Sequence, residues 1–158
     1  MEISVKSKKF GQTIVLLDED DYLKVEKYSL SLFINRRRLY VRLSFINGKR
    51  YLLHRYLMNA PKGLVVDHIN HNTLDNRKEN LRLCTISQNC MNSMKHYKSK
   101  TSPYKGVVFE NNKYYAQIRF NKNYKRIGTY ETAEEAALAY NEAALKYHGE
   151  FAYLNEVK

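Results

Sequence analysis

The sequence predicts an α+β chain: a β-rich N-terminal segment, a central strand that ends in Asp-His, and a three-stranded antiparallel sheet packed on one helix. Three observations carry this. Residues 39–45 alternate apolar and polar ahead of Asn47-Gly48, the strongest short hairpin signal. Residues 104–130 hold period-two runs divided by Asn-rich turns. After Thr132-Ala133-Glu134-Glu135 the apolar spacing changes from two to that of a helix.

At 158 residues the chain is long enough for one ordinary domain or two small ones. A 44% hydrophobic and 27% charged composition excludes a disordered chain. The net charge of +11 suits a polyanionic partner. Residues 1–60 carry +6, 61–100 carry +4 and 101–130 carry +5, whereas 131–158 carry −4. The last two segments are thus a basic half followed by an acidic half. No apolar run reaches the ~20 residues of a membrane span, and residues 1–11 hold no apolar signal core. A cytoplasmic protein without a membrane partner is expected. Cys84 and Cys90 are too few for an all-cysteine zinc site; a disulfide is open to them, and two reduced thiols fit the expected compartment better.

Taken in order, Thr13–Leu17 is a β-rich run, and Asp18–Asp21 suits the first turn of a short helix to about Lys27. Arg36, Arg37 and Arg38 then precede the hairpin, as a solvated loop or as phosphate contacts. Leu64-Val65-Val66 runs into Asp67-His68, and an Asn-rich loop leads to a second apolar stretch. An Asp-His dipeptide alone also fits a plain strand end. Residues 96–103 are polar, end in Pro103 and form the expected linker. Beyond it, Tyr114, Ala116, Ile118 and Phe120 share a core face, and Tyr115, Gln117 and Arg119 share the exposed one. Ile127 points inward and Arg126 outward. Ala133, Ala136, Ala137, Tyr140, Ala144 and Tyr147 recur at helical spacing up to His148-Gly149. The helix therefore backs the sheet, and the basic, aromatic face of the sheet meets the polyanion.

"YKGVVFENNKYYAQIRFNKNYKRIGTYETAEEAALAYNEAALKYHGEFAYLN", residues 104–155, resembles the AP2 DNA-binding domain. The resemblance implies that the sheet reads double-stranded DNA in the major groove with Arg and aromatic side chains. Lys105, Gln117, Arg119 and Arg126, with Tyr115 beside them, match the DNA-facing positions. The sequence departs from the plant-type pattern at Val108-Phe109, where Arg is common, and in having no Trp.

"LHRYLMNAPKGLVVDHINHNTLDNRKENLRLCTISQNCMN", residues 53–92, resembles the HNH core of phage and intron-encoded homing endonucleases. It implies a ββα-metal fold: strand Leu64–Ile69, a long loop, strand Leu81–Ile86 and a helix from about Ser87. It also implies His68 as general base and Asp67, on the opposite side of the strand, as a metal ligand. Asn89 is the second ligand through its amide oxygen, and Asn80 hydrogen-bonds near His68 to orient it. The cofactor is Mg²⁺ or Mn²⁺, since hard oxygens suit an ion that keeps several waters. His54 opens the family's core, in a structural or phosphate-contacting role, and Arg55 contacts phosphate. His71 stands where relatives have Gly; a loop that needs positive φ would suit His less well, so the resemblance does not fix the local backbone. Asp75 and Arg77 pin the loop, with Asn76 in a turn.

The expected organisation is 1–52 β-rich, 53–95 nuclease core, 96–103 linker and 104–158 DNA-binding domain. The expected activity is metal-dependent phosphodiester hydrolysis by a homing-type endonuclease that nicks as a monomer, with no obligate protein partner. The competing expectation is a DNA-binding regulator with a decayed nuclease core.

Overall fold

A computed structural model describes residues 1–35, 37–94, 102–121 and 123–157, with only the backbone of Phe45. It is an α+β structure of small antiparallel sheets and short helices. The described residues divide into two compact units, Met1–Ile86 and Ser87–Lys158.

In the first unit, β1 (Glu2–Ser7) and β2 (Gly11–Leu16) form a hairpin, followed by α1 (Glu19–Val25). β3 (Leu30–Asn35), β4 (Arg38–Ile46) and β5 (Lys49–Leu52) form a second sheet in that order. Asn47 and Gly48, at φ 49° and 75°, make the expected tight turn between β4 and β5. α2 (Leu53–Leu57) follows directly. One core serves all of these: Val5, Val15, Leu17, Val25, Val41, Leu43 and Leu53, with Leu74 packed against it from a later loop.

β6 (Val65–His68) and β7 (Leu81–Cys84) then pair antiparallel around the loop 69–80. This loop is stitched to the N-terminal hairpin. Leu16 donates its backbone N–H to Leu74 O at 2.9 Å, Asn76 N donates to Leu16 O at 2.8 Å, and Thr73 Oγ1 donates to Leu39 O. Asp18 Oδ2 accepts from Lys78 N at 2.7 Å. Asp21, fully buried, pairs with Lys24 at 2.5 Å and Lys78 at 3.4 Å. The acidic turn that reads as helix decoration is thus a clamp on the loop. The division expected at residue 52 falls inside this unit, because β-segment and loop share backbone bonds and a core.

The second unit opens with the last turns of α3 (Ile86–Asn92). β8 (Val107–Glu110), β9 (Lys113–Phe120) and β10 (Asn123–Tyr130) form an antiparallel sheet ordered β10-β9-β8. α4 (Ala133–His148) starts at the Thr132–Glu135 capping box, present in both directions. Its alanines let it lie close to the sheet around Val107, Ala116, Ile118 and Tyr140. Gly106, at φ 75°, is required there: a Cβ would stand 2.0 Å from the Tyr140 ring and 2.7 Å from Gln117 O. Phe120, expected in the core, is 36% exposed at the strand end, where it leans on Tyr147 at 4.9 Å. Of the expected linker, only Ser102 and Pro103 fall among the described residues, and Arg36 lies outside them.

Candidate active site and nucleic-acid interface

Asp67 and His68 close β6, opposite Arg82 and Leu81 on β7. Successive strand residues face opposite sides, so the carboxylate and the imidazole enter different surroundings. Asp67 Oδ2 accepts from Arg82 Nε at 3.0 Å and Nη2 at 2.8 Å, with both side chains largely out of solvent. His68 sits beside two other rings. Its centroid is 5.0 Å from that of His54 on α2, edge to face, and 6.2 Å from that of Tyr40 on β4. Tyr40 and His54 are themselves 5.5 Å apart. His54 is buried, and its Nδ1 has no hydrogen-bond partner among the described residues.

Burial pushes the His68 imidazole down to about 4, against the opposing pull of its hydrogen bond with Asn76 and of the Asp67 and Asp75 carboxylates. His54 is pushed down to about 3, again chiefly by burial, then by His68 and Arg55. Both rings are therefore neutral near pH 7, the state in which an imidazole accepts a proton. Asn76, read from sequence as a turn residue, is fully buried, and its side chain pulls the His68 ring against the effect of burial. Asn80 braces the loop: its Oδ1 accepts from Asn70 N at 2.8 Å and its Nδ2 donates to Asp75 O at 2.8 Å.

The remaining asparagines supply the hydrogen bonds that a ladder would otherwise give. Asn70 Oδ1 accepts from Asn72 N at 2.8 Å, and Asn72 Oδ1 accepts from Leu74 N at 3.1 Å. Asp75 pairs with Arg77 through two bonds of 2.9 and 2.8 Å, which hold its carboxyl below the usual range. His71 takes φ 64°, a left-handed conformation that Gly adopts more readily.

Other sequence-predicted residues are spread more widely. Asn89 lies half-buried on α3 in the second unit. Arg55 is spent on the chain before β6: Nη1 donates to Leu64 O at 2.8 Å, and Nη2 to Ala60 O at 3.2 Å. Arg37, at φ 70°, and Arg38 are exposed beside β4. Lys105 is turned inward. Its amine donates to Met91 O at 2.5 Å and Ser93 O at 2.7 Å, and burial pulls it down to about 8.

On the sheet's outer face, Gln117 lies opposite Arg126 and Arg119 opposite Tyr124. The Arg126 guanidinium stacks 3.6 Å from the Tyr115 ring centroid. A bulge between Arg126 and Gly128 lets Ile127 pack inward while Arg126 stays out. Arg119, Arg126 and Tyr124 are exposed, and Tyr124, at 70% exposure, is an open aromatic ring on this face that sequence reasoning missed. Its place opposite Arg119 is the signal that could have found it.

Among the described residues no three His, Cys, Asp or Glu side chains cluster as a metal cage. Asp67 offers one hard oxygen donor group beside a neutral imidazole, and this sparse set fits Mg²⁺ or Mn²⁺, which bind through few protein oxygens plus water and phosphate. No described helix is long and apolar enough to cross a membrane.

The family model for HNH endonuclease matches residues 59–91, the segment that holds Asp67, His68 and the asparagine loop. An uncharacterised HNH endonuclease of Acanthamoeba polyphaga mimivirus is 40% identical over 123 residues, covering 73% of this chain. The chain spans 62% of that relative's length. No solved structure matches. These matches support an HNH endonuclease domain within this chain.

Proposed function

We propose that the protein is a metal-dependent, site-directed DNA endonuclease of the homing type. The observation that carries the reading is a buried, neutral His68 standing beside Asp67 at the end of β6. In the proposed reaction the His68 imidazole accepts a proton from water as the water oxygen bonds to phosphorus and the bond to the 3′ oxygen breaks. Such general-base help contributes about 10²–10⁴-fold. Asp67 and Asn89 hold Mg²⁺ or Mn²⁺, in the ββα-metal arrangement that the HNH resemblance implies. When bound, the ion neutralises charge building on the phosphate and its leaving oxygen. Asn76 orients His68, and Asn80 keeps the loop in shape.

Double-stranded DNA is held by the outer sheet face of the second unit, AP2-like in its sequence, through Tyr115, Gln117, Arg119 and Arg126. Arg37 and Arg38 add phosphate contacts, while Lys105 and Arg55 leave the contact set because their donors are spent on the protein itself. One nuclease core serves one strand, so the protein nicks as a monomer.

The rival reading is a DNA-binding regulator whose nuclease core has decayed. The Asp67–Arg82 pair favours it, because the carboxylate offered to a metal already accepts two bonds at Oδ2. Supercoiled plasmid carrying a viral-genome library separates the two. Nicking in Mg²⁺ that stops in EDTA and in His68→Ala, with DNA binding retained, supports the nuclease. Binding without cutting under Mg²⁺ and Mn²⁺ establishes the regulator.

A further inference from the structure

The C-terminal end of α3 carries two backbone carbonyls held by a single cation. Lys105, one residue before Gly106 and the start of the recognition sheet, donates its amine to Met91 O at 2.5 Å and to Ser93 O at 2.7 Å. A helix C-terminus leaves carbonyls without intrahelical partners and favours positive charge, so this is a side-chain cap supplied from a distant part of the chain. The lysine is itself fixed at three points. Its N–H donates to Asn155 Oδ1 at 2.7 Å, its carbonyl accepts from Asn155 Nδ2 at 3.0 Å, and its amine lies 5.3 Å from the Tyr153 ring. Asn155 is buried and is tied to α4 through Asn141, whose Oδ1 accepts from Asn155 N at 2.7 Å and whose Nδ2 donates to Asn155 O at 2.9 Å. A line of hydrogen bonds thus runs from α4 through Asn155 and Lys105 to the last turn of α3.

We propose that Lys105 is a positioning residue: it anchors α3 on the recognition domain and so sets where Asn89 stands. The assignment rests on the nuclease reading of Asn89 given above. α3 has seven residues, too few to hold its own shape, and most of its order must come from contacts. Asn89 lies two residues before Met91, so a frayed last turn moves the amide directly. The consequence is that the domain that binds DNA also governs one donor of the cutting site. A lysine that by sequence position looks like a phosphate contact thereby acts on the rate of cutting.

The test compares Lys105→Met and Lys105→Arg in the full chain. Amide hydrogen exchange without metal reads the anchor alone. Lys105→Met is expected to speed exchange across residues 86–92 by about tenfold, the equivalent of one or two lost hydrogen bonds, while β9 and α4 exchange as in wild type. Lys105→Arg, which keeps the charge and the donors, restores most of the protection. DNA affinity in EDTA stays within about twofold of wild type, since no phosphate contact is lost. Single-turnover cutting at saturating DNA falls about tenfold, and more Mg²⁺ is needed to reach half-maximal rate. Unchanged α3 exchange overturns the proposal. So does a Lys105→Met protein that binds DNA weakly and cuts at the wild-type rate once saturated, because that is the behaviour of a phosphate contact. A wild-type protein that never cuts refutes the nuclease reading instead, and the exchange data still decide whether Lys105 anchors the helix. If Lys105→Met loses protection everywhere, Asn155→Ala, which removes the two side-chain bonds to the Lys105 backbone and keeps those of Asn141 to the Asn155 backbone, supplies the same comparison.

Discussion

His54 and His68 are two imidazoles pushed well below their ordinary value by the same burial, and this makes the first unit sensitive to acid. Above about pH 6.5 both are neutral whether the chain is folded or not, and they contribute nothing to pH dependence. Below it the unfolded chain binds protons that the folded one refuses, so stability falls as pH drops toward about 4 and about 3, the folded values. The expected loss is on the order of 2–4 kcal/mol across that window. Asp75, lowered by Arg77, adds a further loss only below the ordinary carboxylate range. Chemical denaturation from pH 7 to pH 4.5 checks this, and His54→Gln should flatten the curve; an unchanged slope argues that the ring is exposed in solution. On the nuclease reading, the same depression is expected to keep cutting active down to about pH 5, below the limb of an ordinary histidine, as a pH–rate profile would read. At this scale the sequence was readable where a residue's neighbours in the chain fix its role. Asp67 beside His68 at a strand end is of that kind. Tyr40, Asn76 and Arg82 were not, because each meets its partner through a fold that brings remote segments together.

Among the elements, the β8–β10 sheet and α4 were the most legible. Period two, period 3.6, the capping box and the Asn turns are all local signals, and they agree with one another. The departures sit at ends, as with Phe120, where an element runs out of covering neighbours. The tightest spot in this unit is Gly106. Gly106→Ala asks for a Cβ against both the Tyr140 ring and the Gln117 carbonyl at positive φ, and backbone cannot step aside as a flexible side chain can. A loss of about 3 kcal/mol is expected, seen as a lower melting temperature of this unit, with Gly149→Ala, in the same unit at φ 55° and meeting nothing within 4 Å, as the control. Equal losses in the two variants argue that the left-handed conformation, not the ring contact, sets the cost.

For the whole molecule, charge is the property that matters. Residues 1–130 carry +15 and residues 131–158 carry −4, so the positive charge lies outside the segment that holds the backing helix. Binding should weaken steeply with salt, and Arg119→Ala and Arg126→Ala should each reduce the slope of log affinity against log salt by about one where they touch phosphate. Arg126 also stacks on Tyr115, so its loss should cost affinity at high salt as well, when screening has removed most of the charge effect. Fluorescence anisotropy over a salt series distinguishes these; a slope near zero for the wild type counts against a DNA-binding face.

The loop 69–80 is sewn to β2, to Leu39 and to the acidic turn before α1. Anyone wishing to graft the nuclease motif onto another DNA-binding protein would therefore need to transplant the two N-terminal sheets with it. A fragment cut just before His54 would leave Leu74 without its core and Asn76 without the carbonyl that sets its position. The portable unit must begin with those N-terminal sheets and run on through α3, which carries Asn89; it is not the short stretch by which such domains are recognised.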